Sequence, residues 1–231
     1  MFNLILACAA FVGTHFLLSH PLRATLVARM GERGFLGLYS LISFITLGWM
    51  VVAYRAVPMQ PYYWHVGTAL WALATLIMLV ASILLVGSLI GNPALPDPTP
   101  KTTSRPPAPR GVFAVTRHPM LWSFALWSLA HILVLPIASN IVLALAIAIL
   151  SLVGAALQDR KKERLEPRFW ERWEGVTSFW PFVALREGRA QWAAAWPGTG
   201  VTLGGIALWL IASWAHMPLA GWPAGIWRWI G

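Results

Sequence analysis

Six apolar runs, each close to the length that crosses a bilayer, restrict what this chain can fold into. About 20 predominantly apolar residues span the hydrocarbon core as a helix, and a helix satisfies its own backbone polar groups there. The chain has 231 residues, of which 58% are hydrophobic and only 11% are charged. We therefore predict an all-α, polytopic membrane helical bundle with about six transmembrane helices, at residues 2–19, 35–53, 64–90, 119–136, 140–157 and 201–216.

Two stretches between these runs have a different composition. Residues 91–110 contain seven prolines together with Thr, Lys and Arg, which predicts an extended cytoplasmic linker. Residues 158–198 combine basic residues with aromatic ones, which predicts an amphipathic helix on the membrane surface. The sequence has no visible internal repeat, so residues 1–231 are predicted to form a single membrane domain.

The basic residues predict an orientation for the bundle. Fifteen of the 17 Lys and Arg lie in the loops that follow the first, third and fifth spans. Such loops stay in the cytoplasm, so we predict a protein of the bacterial inner membrane with both termini in the periplasm. The net charge of +9 therefore reflects the orientation of the protein in the membrane. We expect the partner of the protein to be the lipid bilayer rather than nucleic acid.

Two histidines lie inside predicted spans, His15 in the first and His131 in the fourth. Ionisable residues within a membrane usually face the bundle interior and mark function. Each histidine can simply hydrogen-bond a neighbouring helix. Alternatively, the pair can ligate a metal, and neutral imidazole is a common ligand of haem iron. The spans contain no Asp or Glu to build a carboxylate-based metal site.

The depths of these two histidines do not agree well. At about 1.5 Å per residue along a helix, His15 and His131 differ in depth by roughly 10 Å. His118 is closer to His15 in depth and competes as its partner. Arg117 and His118 begin the fourth span, where they are placed to bind haem propionates or another anion. The remaining histidines are predicted to be interfacial, namely His20, His65 and His216.

Several short motifs, in order along the first 160 residues, resemble the NnrU family of integral membrane proteins. They are Thr14-His15-Phe16 with Ser19, Gly31-Glu32, Leu38-Tyr39-Ser40, Thr116-Arg117-His118-Pro119, Leu126-Trp127, Ala130-His131 and Gln158-Asp159-Arg160-Lys161. That family is similar to zeta-carotene isomerase, a haem b protein that isomerises a polyene. The resemblance implies haem b as cofactor and His15 and His131 as iron ligands. It also implies an apolar small molecule or a small redox ligand as partner, and links the family by name to nitric oxide and nitrite metabolism.

One position departs from the isomerase pattern. In that pattern a cysteine precedes the second histidine by three residues, and here Ser128 occupies the position. A thiolate is therefore not available as an exchangeable iron ligand, and isomerase activity is an analogy.

A looser resemblance reaches membrane enzymes of the isoprenylcysteine carboxyl methyltransferase type. It rests on Arg117-His118-Pro119 and on a later group comprising Glu163, Leu165, Phe169, Trp170, Trp173 and Pro181. This resemblance implies S-adenosylmethionine as an alternative cofactor. A membrane interaction subunit without a cofactor is the third hypothesis.

Overall fold

The computed structural model describes residues 1–95 and 106–230, and within them every regular element is a helix. Residues 96–105 of the predicted linker lie outside the described residues. The α-helices are α1 (Phe2–Ser19), α2 (Arg23–Arg55), α3 (Thr68–Ser88), α4 (Val112–Val115), α5 (Pro119–Val134), α6 (Ala138–Leu165), α7 (Pro167–Val176), α8 (Val183–Arg186), α9 (Thr199–Ala220) and α10 (Trp227–Ile230). A short 3₁₀ helix covers Trp192–Ala195. The predicted all-α class is confirmed.

Each of the six predicted spans coincides with a helix. Among the described residues, five helices are long and apolar enough to cross a membrane, namely α1, α2, α3, α6 and α9. The remaining span, α5, has 16 apolar residues and is therefore about 24 Å long at about 1.5 Å per residue. It is shorter than a hydrocarbon core of about 30 Å. The predicted polytopic bundle is confirmed.

The predicted loop before the second span is wrong. We expected a short loop at Arg29, Glu32 and Arg33, but α2 begins at Arg23 and continues through these residues. The only non-helical residue within α2 is Gly31, with φ 73° and ψ 169°, a conformation that favours glycine. Arg23 and Glu32 form an ion pair of 2.6 Å between the two sides of this break.

The predicted single surface helix after the fifth span is also wrong. Helix α6 continues past the predicted span to Leu165, and α7 starts at Pro167. The residue before a proline disfavours the helical conformation, and Glu166 has φ −136° and ψ 53°. The stretch 158–198 is thus divided among the end of α6, two further α-helices and a 3₁₀ helix.

The long helices pack in the order α2, α1, α6, α5, α3, α9. The predicted hairpin of the fourth and fifth spans is present, since α5 packs against α6. Helix α9 approaches α3 closely at Gly205, where an added Cβ atom would lie 2.7 Å from the Ile83 Cα atom. Small residues of this kind allow membrane helices to approach each other closely. As a result, α9 forms a wall beside α3 and α5.

Two polar contacts identify the two ends of the bundle. At one end, His118 before α5 and His20 after α1 both reach the last part of α6, at Asp159 and at the Leu157 carbonyl. We call this the Asp159 end. At the opposite end, the Asn140 amide in the first turn of α6 donates to the carbonyls of His131 and Leu135. We call this the Asn140 end.

Candidate functional site: an aromatic cavity at the Asn140 end

A cavity of about 1100 Å³ opens at the Asn140 end, between α3, α5 and α9. Its walls are mainly apolar and aromatic, and they also contain three histidines, His65, His131 and His216. Ligand pockets commonly have volumes of about 300–1000 Å³ and combine apolar walls with a few placed polar groups. The aromatic wall residues are Tyr54, Tyr62, Tyr63, Trp64, Trp71, Trp127, Trp209 and Trp222.

The segments around the cavity mouth are fixed by hydrogen bonds to neighbouring helices. In the segment between α2 and α3, the Trp64 indole N–H donates to the Leu133 carbonyl at 3.2 Å. In the segment after α9, the Trp227 indole N–H donates to the Leu210 carbonyl at 3.1 Å. The Arg228 guanidinium lies 4.4 Å from the centre of the Trp71 ring, a cation–π distance. The mouth therefore has one cation, Arg228, among aromatic rings.

His131 lines this cavity from the last turn of α5. Its Nδ1 atom lies 2.8 Å from the Trp127 carbonyl, and its ring stacks on the Trp127 indole at 3.9 Å between ring centres. A carbonyl oxygen only accepts hydrogen bonds, so Nδ1 carries the proton in the neutral ring. Nε2 then keeps a lone pair, as a metal-ligating imidazole requires.

His216 lines the same cavity from α9, and the sequence had not marked it as a site residue. Its Nδ1 atom lies 2.8 Å from the Ala212 carbonyl, so its Nε2 atom also keeps a lone pair. The centres of the His131 and His216 rings are 6.0 Å apart, with 32° between the ring planes. The prediction of an interfacial His216 followed from ending the span at residue 216, whereas α9 continues through Pro218 to Ala220.

His15 lies in a different part of the bundle. Its Nδ1 atom lies 2.6 Å from the Phe11 carbonyl, and its ring contacts those of Phe11 and Tyr39 at 4.4 and 5.3 Å. Helix α1, which carries it, packs against α2 and α6, while α5 packs against α3 and α6. Among the described residues that line the cavity, His131 is present and His15 is not.

The depths of His15 and His131 explain this separation. His15 lies four residues before the end of α1, at the Asp159 end, or about 6 Å into the bundle at about 1.5 Å per residue. His131 lies twelve residues after Pro119, or about 18 Å from the same end. The structure therefore brings His131 together with His216 and not with His15.

Two buried donors in the cavity wall have no protein partner. The Thr75 hydroxyl and the Trp209 indole N–H find no hydrogen-bond partner among residues 1–95 and 106–230, and both residues line the cavity. Buried polar groups are nearly always hydrogen-bonded in native proteins. These two donors are thus available to a polar group of a bound molecule.

Arg117 and His118 belong to a separate polar cluster at the Asp159 end. The Asp159 carboxylate accepts from His118 Nε2 at 2.7 Å and from the Arg117 guanidinium at 2.6 and 2.9 Å. Arg117 also pairs with Glu174 at 3.0 Å. Burial raises the pKa of the Glu174 carboxyl, against the opposing effect of the Arg117 charge. The sequence had assigned no role to Asp159 or Glu174.

The Arg117–His118–Asp159–Glu174 cluster has a clear structural effect. The side chains of His118 and Asp159 are only 1% and 8% exposed. Next to them, the Arg117 backbone N–H donates to the Ser178 carbonyl at 2.9 Å, and the Thr116 hydroxyl donates to the Phe179 carbonyl at 2.8 Å. The cluster therefore connects the start of α5 to the end of α6 and to the segment after α7.

The helices and the cavity define a polytopic helical membrane protein with a large aromatic pocket near one end of the bundle. In the comparisons with known proteins, the family model described as NnrU protein matches residues 3–224. The chain therefore belongs to the NnrU family, and the resemblance stated from the sequence is confirmed. The comparisons with curated proteins and with solved structures found no match.

Proposed function

We propose that this NnrU-family protein is an integral membrane haem b protein, with the haem in the cavity at the Asn140 end and His131 as an iron ligand. The observation that carries the proposal is the position of His131. This residue lines a cavity of about 1100 Å³, and its Nε2 atom keeps a lone pair. Among the described residues, no group of three or more His, Cys, Asp or Glu could hold a metal ion.

The donor set of the cavity fits haem. The aromatic walls match an apolar macrocycle, and imidazole is a common axial ligand. The Arg228 guanidinium at the mouth is a suitable partner for a propionate, since arginine binds carboxylates strongly. Arg117, the earlier candidate for that role, already pairs with Asp159 and Glu174.

Each of these side chains has a definable role. The Trp127 carbonyl holds His131 in the tautomer that leaves Nε2 free. The stacked Trp127 ring restricts the orientation of the imidazole, and the surrounding aromatic side chains keep water from the site. When bound, the haem iron supplies reversible binding of a small redox ligand and a change of oxidation state.

We propose a small redox ligand, such as nitric oxide, as the partner of this site, with an apolar polyene as the second candidate. Polyene isomerisation is less well supported because of Ser128. Its hydroxyl donates to the Phe124 carbonyl at 2.9 Å and the residue is 1% exposed, so it offers no exchangeable ligand.

The orientation of the bundle follows from its charges. We propose that the Asp159 end is cytoplasmic and that the protein lies in the bacterial inner membrane with both termini in the periplasm. Fifteen of the 17 Lys and Arg lie within residues 23–33, 101–117 and 160–189, the stretches that follow the first, third and fifth predicted spans, and such stretches stay in the cytoplasm. The haem cavity then opens near the periplasmic surface.

An absorbance spectrum of the detergent-purified protein, produced with an adequate haem supply, tests the proposal. We expect a Soret band and a b-type haem in the pyridine assay. A colourless, monodisperse protein would contradict the proposal. If that colourless protein bound S-adenosylmethionine in calorimetry, the methyltransferase hypothesis would replace it, and if it bound neither, the interaction subunit would.

A further inference from the structure

We infer that His216 would hold the same haem iron together with His131, as its second protein ligand. This inference rests on the proposed function, and it assigns a residue from α9 that lies outside the motifs on which the haem expectation was based. It replaces the pairing of His131 with His15, and a small redox ligand would bind by taking the place of one of the two imidazoles.

The distance between the two rings fits ligation of one metal ion. With a metal–nitrogen bond of about 2.0–2.1 Å on each side, two imidazoles whose Nε2 atoms point at one ion have their ring centres roughly 6 Å apart. The observed separation of the His131 and His216 ring centres is 6.0 Å. The separation of the ring centres therefore matches that of two imidazoles bound to one ion.

The tautomers of the two rings also fit ligation. In both residues Nδ1 donates to the carbonyl four residues earlier, Trp127 for His131 and Ala212 for His216, each at 2.8 Å. A hydrogen bond at one ring nitrogen fixes the other nitrogen as the ligating atom. Both imidazoles thus offer Nε2 as a neutral donor, and both line the cavity.

Packing holds His216 in this position. Before it, the close contact of Gly205 with Ile83 sets the spacing of α9 and α3. Nearer to it, a Cβ atom added at Gly225 would lie 2.7 Å from the Ser213 Cβ atom, so the segment after α9 folds closely against the turn preceding His216. His216 is therefore on a helix constrained from two sides.

The test compares His216→Ala and His15→Ala in the haem-loaded, full-length protein. Low-temperature electron paramagnetic resonance of the ferric protein reports the number of axial ligands. We expect a low-spin signal in the wild type and in His15→Ala, and a high-spin, five-coordinate signal with haem retained in His216→Ala. Added imidazole should restore the low-spin signal of His216→Ala by filling the vacated position.

A second variant separates ligation from a structural effect. His216→Met should keep the haem and raise its reduction potential, because a methionine axial ligand favours the reduced iron. A merely structural histidine would leave the potential unchanged, and that result would overturn the inference. A low-spin signal that survives in His216→Ala but disappears in His15→Ala would overturn it too. In both cases the wild type still contains haem, whereas a colourless wild type contradicts the proposed function itself.

Discussion

At the scale of single residues, Asp159 joins His118 and Arg117 in the polar cluster at the Asp159 end. One of its carboxylate oxygens accepts from His118 and the other from Arg117, and the side chain is 8% exposed. Removing one partner of a buried charge network leaves the other charges without compensation. The cluster is therefore expected to contribute to stability and not to haem binding.

We predict that Asp159→Ala destabilises the protein by about 3–5 kcal/mol, because the Arg117 charge then lacks its buried partner. The loss should appear as a lower thermal unfolding midpoint in detergent. The matched control is Glu187→Ala, which removes the exposed ion pair with Arg189 and should change the midpoint little. Equal effects of the two variants would mean that the buried network contributes no more than a surface pair.

His118→Ala is expected to spare the haem. Its ring belongs to the cluster at the Asp159 end, about 20 Å along α5 from His131 at about 1.5 Å per residue. The absorbance spectrum of the purified variant should keep its Soret band at the wild-type haem-to-protein ratio. Loss of the Soret band in a monodisperse His118→Ala protein would contradict the assignment of the site to the Asn140 end.

At the scale of helices, the contact of α9 with α3 holds α9 in place as one wall of the cavity. We predict that Gly205→Ala weakens this contact and lowers haem content, because the added Cβ atom would lie 2.6 Å from Ile83 Cγ1 and 2.7 Å from its Cα atom. Overpacking of this kind costs about 1–3 kcal/mol. The measurement is the haem-to-protein ratio after purification.

The same helix offers a control for this substitution. Gly200→Ala adds the same methyl group where no heavy atom lies within 4 Å, so its haem content should equal that of the wild type. If both variants lose haem, the added methyl group disturbs helix α9 itself and not its contact with α3. If neither does, the α3–α9 contact is not needed for the site.

The sequence predicted the helices better than it predicted their partners. Apolar runs are a local signal, so each of the six predicted runs is a helix, and five of these helices are long and apolar enough to cross a membrane. The start of α2 was missed because Arg29, Glu32 and Arg33 look like a loop although only Gly31 leaves the helical conformation. The end of α6 was missed because its charged residues continue the helix up to Pro167.

The candidate site was predictable only in part, for a physical reason. His131 was recognisable because an imidazole in an apolar run is costly to bury. Its neighbour His216 depends on which helices pack together, and that is decided by long-range contacts such as Gly205 against Ile83. His15 was chosen with His131 because both lie inside predicted spans, and the resemblance, which covered about the first 160 residues, implied the same pair and could not include α9.

At the scale of the whole molecule, the proposed orientation can be tested with two exposed positions in opposite loops. In a Cys8→Ala background, we expect Met59→Cys to react with an impermeant maleimide in intact cells, because residue 59 is 99% exposed in the loop between α2 and α3. Ala108→Cys is also exposed but should react only after lysis. The reason is that the basic loops remain in the cytoplasm.

The two cysteines also control for each other. Both should react to the same extent in lysed cells, which excludes a difference in reactivity. The opposite pattern in intact cells, with only Ala108→Cys labelled, would invert the bundle. The cavity would then open near the cytoplasmic surface, although its lining would be unchanged.

The most direct test of the account is the haem-to-protein ratio of three proteins purified in parallel, the wild type, His131→Ala and His15→Ala. Both histidines lie in predicted spans, and in each the Nδ1–H group donates a hydrogen bond to the carbonyl four residues earlier. Of the two, His131 lines the cavity and His15 does not. We predict about one haem per chain in the wild type and in His15→Ala, and in His131→Ala a lower ratio with a high-spin spectrum, because His216 alone then holds the iron, with all three monodisperse. A wild type without haem, or a ratio that falls in His15→Ala and not in His131→Ala, would contradict the account.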